Sequence, residues 1–177
     1  VPSSIAERNI FTLFDGKIVD FTKSNYQKQF NSFLISNQST NNISPDSQNV
    51  LDYVFIDPPF GSNINYSELN FLWESWLKII TNNKKEAIEN TVQNKGVKQY
   101  RLIMTECFCN IYRLLKPGRW MTVEFSNTKA YIWNSIQTAL VDAGFIVSNV
   151  SALDKGQGTF KSQTTPTAVK QDLVISA

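Results

Sequence analysis

The sequence predicts an α/β fold in which helices cover both faces of a mostly parallel β-sheet that ends in an antiparallel hairpin. Two patterns predict it: short runs of β-forming residues alternate with stretches of helical periodicity, and the last two β-runs are separated only by a polar loop. Consecutive strands without a crossover helix between them pair in antiparallel fashion. The chain is 42% hydrophobic and contains 12 Phe and 4 Trp, which is enough for a core. We therefore interpret residues 1–177 as a single domain.

The first 50 residues are predicted to hold a leading helix, one strand and a connector. Apolar residues at near-helical spacing within Ile5–Phe21 indicate a short amphipathic helix. The apolar run Phe30–Ser36 predicts a strand, and the polar stretch Asn37–Asn49 predicts a loop.

Residues 51–177 are predicted to form the main part of the sheet and its helices. Leu51–Ile56 is a dense run of β-formers that ends abruptly at two prolines, as a buried parallel strand before a rigid turn does. The elements predicted after it are helices over Asn65–Ile80 and Tyr100–Leu115, a strand over Trp120–Phe125, a helix from Asn127 or Thr128 to Ala143, and strands over Phe145–Leu153 and Lys170–Ala177. The tryptophans are at core spacing, so we expect them to pack inside: Trp73, Trp76, Trp120 and Trp133.

The absence of histidine restricts the possible chemistry. Without imidazole the chain cannot build a Ser-His-Asp or Cys-His nucleophile or a His-ligated zinc site. Cys107 and Cys109 are too few for a zinc quartet, and we expect them to be buried free thiols. We predict no metal site.

The turn Asp57-Pro58-Pro59-Phe60 is the strongest candidate for a functional site. Ligands of open α/β sheets bind beyond the carboxyl ends of the strands, which is where this turn falls. The two prolines remove backbone N–H groups and leave carbonyl oxygens, and Asp57 adds a carboxylate acceptor. Such a group of acceptors suits an NH₂ group, and Phe60 offers a ring that can stack on a base.

These residues resemble a known family. Asp57-Pro58-Pro59-Phe60 after a hydrophobic strand resembles the Asp/Asn-Pro-Pro-Tyr/Phe motif of amino-methyltransferases that use S-adenosylmethionine. The longer run DPPFGSNINYSELNFLWESWL is similar to bacterial DNA methylases of the N6-adenine/N4-cytosine kind. The resemblance covers nearly everything from Tyr53 onward, through LLKPGRWMTVEFSNT, IWNSIQTALVDAGFIV and VKQDLVISA in the same order.

The resemblance implies a Rossmann-like S-adenosylmethionine-dependent methyltransferase sheet and a role for each matching residue. Asp57 and the Pro58 carbonyl would accept hydrogen bonds from the target amine on the rigid Pro58-Pro59 turn, and Phe60 would stack on the flipped base. Gln38 and Ser39 follow the predicted strand where the family contacts the cofactor adenine. The implied partner is DNA, and a restriction-modification or related system is implied as its setting.

The loop from Lys155 to Thr167 mixes basic, aromatic and small residues beside the same sheet. Lys155, Phe160 and Lys161 are candidates for binding nucleic acid, although a flexible hairpin loop without this role explains the composition equally well. No apolar run reaches membrane-spanning length and no signal-peptide pattern is present, so we expect no membrane partner and a cytoplasmic location.

One departure from the family concerns the cofactor. The Gly-rich turn after the first strand and the acidic residue after the second are not found in the sequence. We therefore expect a partial catalytic domain that lacks the first two strands and has little activity on its own. We expect its exposed sheet edge at Leu51–Ile56 to be covered by Phe30–Ser36, by the N-terminal segment, or by a second copy of the chain through self-association. Two alternatives stay open: an RNA base N-methyltransferase, and a non-catalytic nucleic-acid-binding module that keeps the turn.

Overall fold

A computed structural model describes residues 38–44, 46–62, 65–127, 129–153 and 172–177. The predicted helix within Ile5–Phe21, the predicted strand Phe30–Ser36 and the candidate residues Lys155, Phe160 and Lys161 lie outside this part of the chain.

The described strands form one open sheet of four strands, so the predicted α/β class is confirmed. In chain order they are β1 (Leu51–Ile56), β2 (Leu115–Phe125), β3 (Asn149–Leu153) and β4 (Asp172–Ser176), and their order in the sheet is β1-β2-β4-β3. β1 and β2 run parallel, whereas β4 is antiparallel to both β2 and β3. The antiparallel C-terminal hairpin is therefore present, with β4 inserted beside β2.

Three α-helices accompany the sheet: α1 (Tyr66–Leu77), α2 (Val97–Leu114) and α3 (Ala130–Asp142). α2 and α3 pack on each other and share one core with the strands, because Met121, Val123 and Ile175 point to the same face of the sheet. All three side chains are fully buried. The largest other core residues come from the two helices and from the end of β2: Tyr100, Phe108, Phe125, Ile132, Ile136 and Leu140.

The opposite face of the sheet is more open among the described residues. Tyr53, Phe55 and Trp120 are neighbours there across β1 and β2, and each is more than half exposed. Helices on both faces are predicted from the sequence; within the described ranges, the packed helices lie on one face.

The tryptophan prediction is wrong for three of the four side chains. Trp73, Trp76 and Trp120 are more than half exposed. Only Trp133 packs against the core. α1 forms as predicted, but none of its twelve residues is buried, because its apolar side does not contact the core.

Two strands begin elsewhere than predicted. β2 starts at Leu115 instead of Trp120, because Leu115 already pairs with Leu51; an irregularity then shifts the register so that Tyr53 pairs with Trp120. β3 starts at Asn149 instead of Phe145, because Phe145 completes the end of α3. Its N–H donates to the Leu140 carbonyl, and the Gly144 N–H donates to the Val141 carbonyl, which is a Schellman motif.

Candidate functional site

The Asp57–Phe60 turn lies at the carboxyl end of β1, as the sequence predicts. Asp57 is exposed, Pro58 is buried, and Pro59 and Phe60 are half-buried. Asp57 is therefore accessible to solvent, whereas Pro58 and, in part, Pro59 and Phe60 pack against the protein.

Two buried side chains bind the carbonyl oxygens of the turn. The Tyr100 hydroxyl of α2 donates to the Pro59 carbonyl at 2.7 Å. The Asn127 amide Nδ2, just after β2, donates to the Phe60 carbonyl at 2.7 Å. Within the described residues, no hydrogen bond reaches the Pro58 carbonyl. The Pro59 and Phe60 carbonyls thus accept hydrogen bonds from buried side chains, and the Pro58 carbonyl lies next to Asp57 in the chain.

Asn127 holds the turn from a fixed position of its own. Its side chain is almost fully buried. Its Oδ1 accepts from the Lys129 N–H at 2.8 Å, and its backbone carbonyl accepts from the Trp133 indole N–H at 2.9 Å. Asn127 therefore fixes the Phe60 carbonyl relative to the start of α3.

Two aromatic rings, Phe125 and Trp133, support the turn on its buried side. Phe60 meets Phe125 edge to face, with ring centroids 5.2 Å apart, and Phe125 meets Trp133 in the same way at 4.9 Å. Such pairs contribute about 0.5–1.5 kcal/mol beyond the area that they bury. The Phe60 ring is thus held in place by β2 and α3.

Gly61 ends the turn in a conformation that favours glycine. Its φ is +71°, and a Cβ at this position would lie 3.1 Å from the Ile132 Cδ1 atom. Its carbonyl accepts from the Glu89 N–H at 3.3 Å. Both the backbone conformation and the close approach of α3 therefore require glycine here.

A largely apolar cavity of about 390 Å³ opens beside Asp57 and Pro58. Ser39, Thr40 and Asn41 form one side of it, and this segment is attached to α2 because the Asn110 amide donates to the Thr40 carbonyl at 2.9 Å. The remaining wall is mostly apolar: Ile56, Ala87, Met104, Phe108 and Ile111.

Acidic groups surround the turn and shift the pKa of a nearby phenol. Burial raises the pKa of the Tyr66 hydroxyl, and the Asp57 and Glu86 carboxylates raise it further, whereas a hydrogen bond with the Phe60 backbone lowers it. Glu86 accepts from the Ser67 N–H at 3.0 Å through Oε1, while its Oε2 is buried with no hydrogen-bond partner among the described residues. Two carboxylates, Asp57 and Glu86, and one ammonium group, Lys85, therefore line the cavity.

A second, more polar cavity of about 710 Å³ lies past the other end of the turn. Ser62, Glu89, Lys129 and Tyr131 are among its lining residues. The Lys129 ammonium donates to the Ser62 hydroxyl at 2.9 Å and lies 5.6 Å from the centre of the Tyr131 ring. An apolar cavity and a polar cavity thus lie near opposite ends of the same turn.

The structure brings some of the predicted site residues together. Ser39 lines the same cavity as Asp57 and Pro58. Gln38 lies next to Ser39 and is exposed. Tyr100 and Asn127 were not predicted to hold the turn, because they lie 41 and 67 positions away from the carbonyls that they bind. The sequence allows Asn127 to line the target-base pocket or to cap the following helix, and neither interpretation links it to the Phe60 carbonyl.

Within the described ranges, no group of three or more Cys, Asp or Glu side chains could hold a metal ion. The helices described there are also too short or too polar to cross a membrane.

Cys107 is half-buried and Cys109 is exposed, so the prediction of two buried thiols is wrong for Cys109.

Comparison with known proteins gives only weak likenesses. No protein-family model and no curated protein sequence matches the chain. Several solved structures show some similarity, among them two methyltransferases. One is an antibiotic-related methyltransferase, with 17% identity, a TM-score of 0.37 and coverage of 79% of this chain and 57% of that one. The other is the antibiotic-resistance methyltransferase Kmr, with 10% identity, a TM-score of 0.38 and coverage of 78% and 57%. The chain spans less than two thirds of either protein, and likeness of this size assigns no function.

Proposed function

We propose that this chain is part of a site-specific DNA methyltransferase that transfers a methyl group from S-adenosylmethionine to an exocyclic base amine, adenine N6 in the first instance. The observation that carries the proposal is the Asp57–Phe60 turn at the carboxyl end of β1. Asp57 is exposed beside a cavity that Ser39 also lines, and the Pro59 and Phe60 carbonyls are bound by buried side chains.

In this proposal the turn holds the amine by hydrogen bonds. The Asp57 carboxylate and the Pro58 carbonyl accept from the two N–H groups, because both are acceptors and neither prolyl nitrogen can donate. Tyr100 and Asn127 hold the next two carbonyls, so the acceptors need little rearrangement when the base arrives. Positioning and acceptors of this kind serve an amine nucleophile without imidazole.

The cavity beside Asp57 fits the adenine part of the cofactor by its chemistry. Apolar side chains suit the faces of a flat ring, and the polar segment Ser39–Asn41 offers hydrogen-bond partners for its edge. S-adenosylmethionine would supply the methyl group when bound. The sequence offers no Gly-rich turn for the methionine part, so only the adenine part can be placed on residues of this chain.

The polar cavity at Ser62 and Lys129 is our candidate for the side that faces nucleic acid. Lys129 is exposed and its ammonium is the kind of group that contacts phosphates. The candidate DNA-binding residues Lys155, Phe160 and Lys161 belong to the same proposal. An RNA substrate fits the same turn, and the assay below separates the two.

The test measures methyl transfer to DNA and to RNA by the full-length protein to which this chain belongs. The nucleic acids are then digested to nucleosides and the methylated bases are identified. We expect N6-methyladenine in DNA with the unchanged protein. Asp57→Ala should abolish transfer while changing cofactor affinity by less than about tenfold, which corresponds to about 1.4 kcal/mol. Asp57→Asn keeps an acceptor oxygen, and the family motif accepts Asn, so it should retain measurable activity.

Asp52→Ala is the matched control. Asp52 lies in β1, the strand that precedes the turn, and is exposed, but it pairs with Lys116 at 2.9 Å, away from the turn. Near-normal turnover by Asp57→Ala would remove the role proposed for this residue. Methylated bases in RNA alone would replace the DNA assignment, and cofactor binding without any transfer would favour a non-catalytic module.

A further inference from the structure

α1 carries an apolar surface that the described part of the chain does not bury. Its apolar stripe consists of Leu69, Leu72, Trp73, Trp76 and Leu77, at the i, i+3, i+4, i+7 and i+8 spacing that normally faces a core. Each of these side chains is between 61% and 82% exposed. Phe71 is also exposed, but at about 100° per residue it lies on the opposite side of the helix, and Ile80 lies beyond the last residue of the helix. Exposed apolar surface of this kind marks an interaction site.

The charges of α1 argue against a nucleic acid or a membrane as its partner. The helix contains Glu68 and Glu74 but no lysine or arginine. Phosphate binding needs basic side chains, and helices that lie on membranes carry them on their polar side. A protein surface is the remaining kind of partner.

Both carboxylates are held at the ends of the helix. Asn65 donates to Glu68 at 3.0 Å at the start, and the Thr81 N–H donates to Glu74 at 2.9 Å near the end. Most of the apolar stripe lies between these two positions. It can therefore pack against another apolar surface without burying either charge.

We propose that α1 pairs with α1 of a second copy of this chain, antiparallel and around a two-fold axis near Leu72 and Trp73. Three leucines at about 100 Å² and two tryptophans at about 150 Å² provide roughly 600 Å² per copy, which is at the lower end of what a specific interface buries on each partner. The antiparallel arrangement places Glu68 of one copy level with the exposed Lys78 of the other, whereas a parallel one would place Glu68 beside Glu68. This interface is separate from the sheet edge and does not depend on the proposed function.

The first test is the mass of the 177-residue chain by sedimentation velocity over a dilution series. We expect a dimer that dissociates on dilution. Trp76→Glu should give a monomer at every concentration, because it places a charge inside the stripe. Trp120→Glu is the matched control: Trp120 is an exposed tryptophan on the open face of the sheet. A monomeric unchanged chain, or a dimer that only Trp120→Glu dissociates, would overturn the proposal.

The second test fixes the orientation by disulfide cross-linking in a Cys109→Ser background, which removes the exposed native thiol. Leu72→Cys lies next to the proposed axis and should cross-link to its counterpart under mild oxidation. Leu77→Cys should not, because a rise of 1.5 Å per residue separates the two copies of residue 77 by roughly 14 Å along the axis. Equal cross-linking at both positions would contradict the antiparallel arrangement.

Discussion

Single side chains hold the Asp57–Phe60 turn by its oxygens. A backbone segment with two prolines cannot be fixed through its own N–H groups at those positions, so the fold uses carbonyls instead. Tyr100 and Asn127 reach these carbonyls from α2 and from the end of β2. Both are almost fully buried, so their bonds are protected from water.

Removing the Asn127 side chain should destabilise the protein. Asn127→Ala leaves the Phe60 carbonyl and the Lys129 N–H without their partners, and a lost buried partner costs about 1–3 kcal/mol. Urea unfolding followed by tryptophan fluorescence measures the change. Asn134→Ala, at an exposed position of α3, should change the free energy of unfolding by about 0.5 kcal/mol or less. Equal effects of the two substitutions would show that the Asn127 bonds contribute little.

The two cysteines should react with alkylating reagents at different rates. Burial, and to a smaller extent the Glu106 carboxylate, raise the pKa of the Cys107 thiol to about 11. The thiolate is the reactive form, so only about one thiol in a thousand is reactive at pH 8. Cys109 is exposed. Mass spectrometry after iodoacetamide treatment at pH 8 should therefore find Cys109 modified first. The Cys107 rate should rise about tenfold per pH unit up to about pH 10, and a rate that levels off near pH 8.5 would contradict the raised pKa.

Two glycines allow backbone strain to be separated from crowding. Gly61 and Gly118 have nearly the same positive φ, +71° and +72°. A Cβ at Gly61 would lie 3.1 Å from Ile132, whereas a Cβ at Gly118 would have no neighbour within 4 Å. Gly118→Ala should cost roughly 1–2 kcal/mol for the left-handed conformation alone.

Gly61→Ala should cost more, by about 1 kcal/mol or above, since Ile132 must also move. Thermal and urea unfolding of both variants provide the comparison. In the intact protein, Gly61→Ala should also lower methyl transfer, because the displaced residue adjoins Phe60. If Gly118→Ala lowers the free energy of unfolding as much as Gly61→Ala or more, the Ile132 side chain can move away from the added Cβ at little energetic cost.

The sequence predicts whole elements better than the contacts between them. Local periodicity finds α1, α2 and α3, and the run of β-formers finds β1 together with the turn after it. The shifted start of β2 depends on Leu115 pairing with Leu51, which lies 64 positions away in the chain. The exposure of Trp73 and Trp76 could not be predicted either, because an apolar stripe has the same spacing whether or not a surface covers it.

In the candidate site, too, the residues that are adjacent in sequence could be predicted, whereas the long-range contacts could not. Asp57, Pro58, Pro59 and Phe60 are adjacent in sequence, so their chemistry can be interpreted together. Tyr100 and Asn127 join them only through folding, and no local pattern links a tyrosine inside a helix to a proline carbonyl in a distant turn. The insertion of β4 between β2 and β3 is also a property of the whole sheet.

Across the whole molecule, stability should be unequal between strands. Thr122 and Val123 of β2 pair with β1 on one side and with β4 on the other, and β4 lies between β2 and β3. The five residues of β3 are all exposed. Hydrogen exchange followed by mass spectrometry should therefore show the slowest exchange in peptides from β2 and faster exchange in those from β3. Equal protection of the two strands would indicate that the sheet opens only as a unit.

The position of β4 also affects how the protein folds while it is being synthesised. β4 is the last of the four described strands to leave the ribosome, although its place is inside the sheet. Until it arrives, the edge of β2 that β4 covers and the whole of β3 have none of the strand partners seen here, and such unpaired edges invite intermolecular pairing. Newly made chains should therefore need protection by a chaperone until Asp172–Ser176 has emerged.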